Sequence, residues 1–329
     1  MKAEAERTLS SLKQITDFPF YSARYYGDYR LTEFASGAVE DPDKVAPFFE
    51  KLFADSGKPV KIQFPPGNDF GSGCSAFFCR DSRNTAVVGK NLDWKKDPVL
   101  LLKTSPAGGF TSLSIVNLNT CDPFRLNSFP HKLLLAPYLP MDGLNEKGLT
   151  VTMLSVQEGT DYPAESGKLS AGDFNIIRII LDTCQNIHEA LDVFTRYNLM
   201  QTGPLPIHFL LADQQDSCIV EFFDGNMHFS RSRDLNYLTN FLKLKAAGCK
   251  KQRELCRRHQ ILEKELEKNK GNIGISEAKK LLQKVSVYQE GFQIPSTIWS
   301  VVYSPENLCM KIRVGDSPRY YSFSLREKP

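Results

Sequence analysis

The chain has no N-x-Ser/Thr triplet, no C-x-x-C pair, and no apolar run near the roughly 20 residues a membrane helix needs. The first absence argues against a glycosylated secretory protein. The second argues against the redox and zinc patterns that close cysteine pairs make, and the third excludes a spanning helix. A charge excess is missing as well. There are 41 basic and 38 acidic residues, a net charge of +3, so nothing favours nucleic acid as a partner. The five histidines, 131, 188, 208, 228 and 259, stand at no ligand spacing with any cysteine, and no metal is expected. GSG and PAGG are too short to make a phosphate loop, and no cofactor is expected either. The N-terminal MKAEAERTLSSLKQITDF lacks the apolar block of a secretory signal, which points to the cytoplasm. Internal repeats and low-complexity tracts are absent.

What the sequence does contain is enough for one large core or two small ones: 329 residues, 41% of them hydrophobic. Eight cysteines lie scattered at 74, 79, 121, 184, 218, 249, 256 and 309, which suggests buried thiols rather than a disulfide scaffold. Residues 1–17 carry Leu9, Leu12 and Ile15 at helical spacing, and DPDKVAPFFEKLFADSG predicts a second helix, capped at Asp41 or Asp43 and stopped at Gly57. An aromatic stretch, FYSARYYGDYRLTEF, lies between them. PPGNDFGSG is built of turn residues and reads as a junction. Beyond it SAFFCRD, TAVVGKNLDW, LLLKTS, TSLSIVNLNT and HKLLLAPYL read as short strands, and MDGLNEKGLTVTMLSVQ as a turn running into another. DFNIIRIILDTCQNIHEALDVFTRYNL predicts two helices broken near Asn186. HFLLADQQDSCIVEFFDGNMHFSRS predicts a hairpin-like pair, and DLNYLTNF the end of a further strand. KKQRELCRRHQILEKELEKN and ISEAKKLLQKVS predict amphipathic helices, and STIWSVVYSPENLCMKIRVG closes the chain with two strands. Runs of strands, then helices, then strands indicate an α+β fold.

Taken singly, the candidate site residues have ordinary readings. Cys74 could be a packed thiol, Asp93 a turn aspartate, NEKG at 145–148 a tight turn, and LTN at 238–240 a strand end. Their order is more informative. Cys74, then KNLDW, then DGLNEKGL, then LTN resembles the N-terminal-nucleophile (Ntn) cysteine hydrolases of the choloylglycine hydrolase group. Those linear-amide hydrolases include bile salt hydrolases, penicillin V acylases, N-acylethanolamine acid amidases and isopenicillin-type acyltransferases. Cys74 precedes Lys90 by sixteen residues and Asp93 by nineteen, matching that family's spacing of nucleophile, basic residue and aspartate. The likeness runs from residue 74 to about 325, and GDYRLTEF resembles the propeptide of members cut before the cysteine.

The resemblance implies a four-layer αββα sandwich, with residues 1–73 a propeptide-like segment and 74–329 the catalytic domain. It implies cleavage between Gly73 and Cys74, because only an N-terminal cysteine has an α-amine, of ordinary pKa near 7.7–8.0, to serve as its base. Asp93 would orient that amine. Lys90, where the family commonly has arginine, would stand beside the thiol and favour thiolate. Asn240 would offer its side-chain amide and Asn145 its backbone N–H to the oxyanion. One of Arg253, Arg257 and Arg258 would support the thiol, with Arg258 favoured because HQIL follows it. The expected substrate is a small-molecule N-acyl amide, hydrolysed through an acyl-thioester, with both chains held together after cleavage. Phe110, Phe124, Phe129 and HKLLLAPYL could line an apolar acyl slot or belong to the core. Transfer to an amine acceptor, an inactive unprocessed form, and self-association into a homo-oligomer stay open.

Overall fold

In β3 (Gly73–Arg80) successive side chains take opposite faces. Cys74, Ala76 and Phe78 enter one apolar core, while Phe77 and Cys79 enter another. A strand buried on both faces requires a layer on each side. The computed structural model has those layers; it describes residues 2–37, 42–57, 73–119, 129–156, 161–202, 205–245, 252–288 and 296–326.

One sheet has six strands, ordered β14 (Asn236–Leu238), β3, β4 (Ala86–Trp94), β15 (Ser296–Ser304), β16 (Cys309–Val314) and β17 (Tyr321–Ser324). The other has nine: β1 (Lys13–Thr16), β2 (Phe20–Arg24), β5 (Val99–Thr104), β6 (Ser112–Asn117), β7 (Asp142–Asn145), β8 (Thr150–Ser155), β11 (Ile207–Ala212), β12 (Ser217–Phe223) and β13 (Asn226–Ser232). A separate parallel pair joins β9 (Leu169–Gly172) to β10 (Tyr197–Met200). The largest core lies between the sheets and continues beneath α5 (Asn175–Thr183) and α6 (Ile187–Arg196). On the far side, Leu262 and Leu266 of α7 (Arg257–Lys268) join Leu281 and Leu282 of α8 (Ile275–Lys284) over Phe77 and Val87. The fold is the expected α+β sandwich with layers αββα. No helix among the described residues is long and apolar enough to cross a membrane.

The break between α5 and α6 falls at Asn186, whose side chain accepts the Glu189 N–H, an N-cap in the ordinary sense. The NEKG turn closes at Gly148, where φ of +86° suits glycine. Five expectations need correction. The helix predicted over 1–17 ends at Ser10 as α1 (Lys2–Ser10), and Leu12 and Ile15 leave it. Ser11 stops it, because its hydroxyl donates to Thr8 O and Arg24 O and receives the Arg24 N–H, which starts the β1–β2 pair instead. HKLLLAPYL is not a strand but α4 (Phe129–Leu135) followed by a 3₁₀ turn, Ala136–Tyr138. Residues 132–138 of this run are all buried, Lys132 included, so no exposed face reveals a period, and Pro137 seats in the first turn of the 3₁₀ segment. The predicted hairpin pair is three strands, β11 to β13, and DGLN of the NEKG motif is itself the strand β7. The basic helix is interrupted at Cys256, so α7 begins at Arg257. PPGNDFGSG before Gly73, Asp41, the Asp43 side chain, Cys121 and Cys249 lie outside the described residues.

The N-terminal segment is part of both sheet and core. β2 pairs in parallel with β5, and β1 edges the sheet beyond it. α2 (Leu31–Gly37) and α3 (Pro42–Asp55) bring Phe34, Phe49, Leu52 and Phe53 onto Leu100, Leu102 and Val116. These three residues point away from Val99 and Leu101, which face the inter-sheet core.

Candidate functional site

The β3–β4 ladder fixes the first three groups. Gly73 pairs with Asp93, Cys74 with Leu92 and Ala76 with Lys90. Directly opposite residues share a face. Cys74 and Lys90 therefore look into the space between the sheets, and Asp93 looks toward the helical layer. Cys74 is 1% exposed, and Lys90 and Asp93 are fully buried.

Arg258, second residue of α7, reaches across the end of this ladder. One guanidinium nitrogen, Nη1, donates to the Cys74 carbonyl at 2.6 Å and to Asp93 Oδ2 at 2.8 Å. The other, Nη2, donates to Asn240 Oδ1 at 2.8 Å. The same Oδ1 accepts the Cys74 backbone N–H at 2.7 Å. Thr297 Oγ1 completes Asp93 at its second oxygen, 2.5 Å away. Cys74 is thus held on its N–H side by Asn240 and on its carbonyl side by Arg258, and these two are bonded to each other. Arg253 and Arg257 point outward and are exposed.

Gly73 is the one residue that fits its place. A β-carbon there would stand 2.8 Å from Asp93 Oδ2 and 3.3 Å from Arg258 Nη1, too close without displacing the buried carboxylate. The glycine before the cysteine is required by packing as well as by any turn.

Lys90 is paired rather than free. Its ammonium lies 3.3 Å from Asp142 Oδ1 and donates to Met153 O, and Trp299 Nε1 donates to the other Asp142 oxygen at 3.1 Å. Burial raises the Cys74 thiol above its ordinary range; Lys90 opposes this, Asp93 adds to it, and a Ser155 backbone N–H and Arg258 oppose it further. Burial also raises the Asp93 carboxyl, against the pull of Arg258, Thr297 and Lys90, and raises Asp142 against Lys90. Burial therefore favours the protonated thiol, and the nitrogen of Cys74 here is a peptide N–H bonded to Asn240.

Asn145 lies elsewhere. Its N–H donates to Leu149 O, its amide nitrogen to Leu181 O and Cys184 O, and its Oδ1 accepts from Lys147 and Leu149. All its polar groups serve the turn and the end of α5, so its backbone has no donor to offer an oxyanion. The residue of this hairpin that does approach Cys74 is Ser155, at the opposite end of β8. Its N–H is near enough to the thiol to work against the rise of the thiol pKa, and its carbonyl and hydroxyl accept the Asn240 amide at 2.8 and 2.9 Å. No motif marks Ser155; NEKG is a strong turn signal at the other end of the hairpin. The Asn240 amide, expected to face an oxyanion, faces Ser155 in this uncut chain.

Phe110 lies at the surface under Lys147, Leu133 to Leu135 are core, and Phe124 and the Phe129 side chain fall outside the described residues. No group of three or more His, Cys, Asp or Glu among the described residues could hold a metal ion.

The family model described as acyl-coenzyme A:6-aminopenicillanic acid acyl-transferase matches residues 137–319, more than half the chain. That span includes Asn240 and Arg258 but not Cys74, Lys90 or Asp93. Among solved structures, penicillin V acylase from Agrobacterium tumefaciens is 16% identical with a TM-score of 0.53, covering 77% of this chain and 86% of its own. A mutant conjugated bile acid hydrolase from Clostridium perfringens is 12% identical with a TM-score of 0.55, covering 78% and 93%. Likeness at this identity establishes the fold. No curated protein sequence matches the chain.

Proposed function

The chain belongs to the acyl-coenzyme A:6-aminopenicillanic acid acyl-transferase family, and on that premise we propose a self-processing cysteine amidase. The observation that carries this reading is the grip on Cys74: its N–H on Asn240, its carbonyl on Arg258, and Asp93 against the preceding glycine. In the first reaction Cys74 Sγ attacks the Gly73 carbonyl carbon and the Gly73–Cys74 C–N bond breaks. The amine leaves with the thiol's proton, and water hydrolyses the resulting thioester. Residues 1–73 become the propeptide-derived chain and residues 74–329 the catalytic chain.

The new α-amine stays beside Asn240 Oδ1 and next to Asp93. As a neutral base it takes the thiol proton, and Lys90 and Arg258 stabilise the thiolate. The thiolate attacks the carbonyl of an N-acyl amide, the amine product leaves with a proton from the α-ammonium, and water releases the acid. The Ser155 N–H and the Asn240 amide, freed from its bond to Ser155, are the oxyanion donors of this mechanism. The names of the neighbours that share the fold, penicillin V acylase and conjugated bile acid hydrolase, fit a small-molecule amide as substrate, and the usual apolarity of small-molecule pockets favours an apolar acyl group.

Mass spectrometry of the purified protein tests the reading. It expects a fragment beginning at Cys74 that disappears in Cys74→Ala; intact wild type that still hydrolyses amides would overturn the α-amine mechanism. The family's acyl-transferase description favours a second reading, in which an amine instead of water takes the acyl group. Product analysis with and without an added amine separates the two.

A further inference from the structure

Asn240 follows β14 in a loop, with no ladder or helix to hold its backbone. What fixes it lies on the other sheet. His208 of β11 and Glu221 of β12 are both fully buried and stand one step along from the Phe209–Val220 cross-strand pair. His208 Nε2 lies 2.8 Å from the Thr239 carbonyl, the peptide that leads into Asn240. A carbonyl only accepts, so this nitrogen carries the hydrogen. His208 Nδ1 lies 3.0 Å from Glu221 Oε1. The same carboxylate receives the Lys243 N–H at Oε1 and the Leu244 N–H at Oε2, each at 2.7 Å. One buried pair therefore grips the loop immediately before Asn240 and again three and four residues after it.

We propose that His208 and Glu221 are positioning residues that set Asn240 against Cys74 by clamping residues 239–244 from the opposing sheet. The inference rests on the amidase reading above. Asn240 has three partners at the site, Cys74, Arg258 and Ser155, each with a narrow distance to keep. A loop shift of about 1 Å can cost a hundredfold in rate, and the bonds from His208 and Glu221 are the ones that hold this loop's backbone on both sides of Asn240. Burying a carboxylate and an imidazole is costly unless every polar atom is satisfied. In this pair each is satisfied, and by the segment that carries a site residue.

A double-mutant cycle tests the clamp, read as the rate of Gly73–Cys74 cleavage by mass spectrometry and as kcat on a chromogenic acyl anilide. His208→Phe keeps a ring but removes both ring nitrogens and their hydrogen bonds, and should lower both rates roughly ten- to a hundredfold. His208→Gln, which can still donate to the Thr239 carbonyl, should recover most of the loss. In an Asn240→Ala background, His208→Phe should cost nothing further, because it acts through Asn240. Glu221→Gln should speed hydrogen exchange at the Lys243 and Leu244 amides, a readout independent of activity and available if His208→Phe fails to fold.

Losses that multiply in the cycle, or unchanged exchange at both amides, would overturn the clamp while leaving the amidase reading intact. A wild type that neither cleaves itself nor turns over any acyl amide overturns the amidase reading, and the positioning role falls with it.

Discussion

Arg258 occupies the first turn of α7, where the helix dipole disfavours a cation. Its three bonds to Cys74, Asp93 and Asn240 explain why it is tolerated there. The spacing Cys74–Lys90–Asp93 was visible in the sequence because both strands and their register are local. Among three nearby arginines the sequence favoured Arg258, through the HQIL that follows it, but could not fix it, since the choice depends on where α7 begins. Beside Arg258, His259 is 1% exposed, lies between the rings of Tyr237 and Phe241, and has no hydrogen-bond partner at either nitrogen. Burial lowers its pKa from 6.5 to about 4; Glu263 works against this, while Lys243 and Arg253 add to it. A depressed pKa means the folded state prefers the neutral ring. Its stabilising contribution is complete above pH 6.5 and is lost as pH falls toward 4. Thermal unfolding followed between pH 7 and 4 should therefore show wild type losing more stability than His259→Phe. Equal losses in the two proteins would remove His259 as the cause.

At the level of elements, the β3–β4 ladder turns sequence distance into geometry. Antiparallel pairing brings Gly73 opposite Asp93, and it is the carboxylate rather than backbone conformation that excludes a side chain there. Gly73→Ala should fold, as judged by an unfolding midpoint within a few degrees of wild type. It should, however, leave the chain uncut, with no fragment beginning at Cys74. Rapid cleavage in this variant would show that the approach to Asp93 is not needed. The elements read wrongly from sequence share a physical cause. In α4 residues 132–135 are all buried, Lys132 included, so its period is hidden, and α1 gives way to β1 through hydrogen bonds of Ser11 to a strand thirteen residues on. The NEKG turn differs in another manner: Asn145 is spent on the turn's own hydrogen bonds and on the end of α5, and the approach to Cys74 is made by the hairpin's far end, at Ser155.

For the whole molecule, the segment before Gly73 is integrated rather than appended. β2 is hydrogen-bonded to β5, and Phe20, Tyr29, Phe34, Phe49 and Phe53 are all buried. At roughly 1.5–3 kcal/mol for each buried large apolar side chain, these five stabilise the segment's attachment by on the order of 10 kcal/mol before chain entropy is subtracted. Cutting one peptide bond removes none of these contacts. The two chains should thus co-elute on gel filtration after cleavage and separate only in denaturant. Recovery of a lone catalytic chain from native buffer would contradict this.

Residue order alone determined the family resemblance, the alternation that buries both faces of β3, and the spacing that sets Cys74, Lys90 and Asp93 on adjacent strands. These follow from local pairing and from side chains alternating every second residue. Tertiary structure decided that Arg258 is the arginine that meets Cys74, that Ser155 and not Asn145 approaches the thiol, and that a histidine and a glutamate on one sheet bond the loop that carries Asn240. Each of these joins residues tens to more than a hundred positions apart, and their meeting is set by how the two sheets stack, which no local pattern encodes.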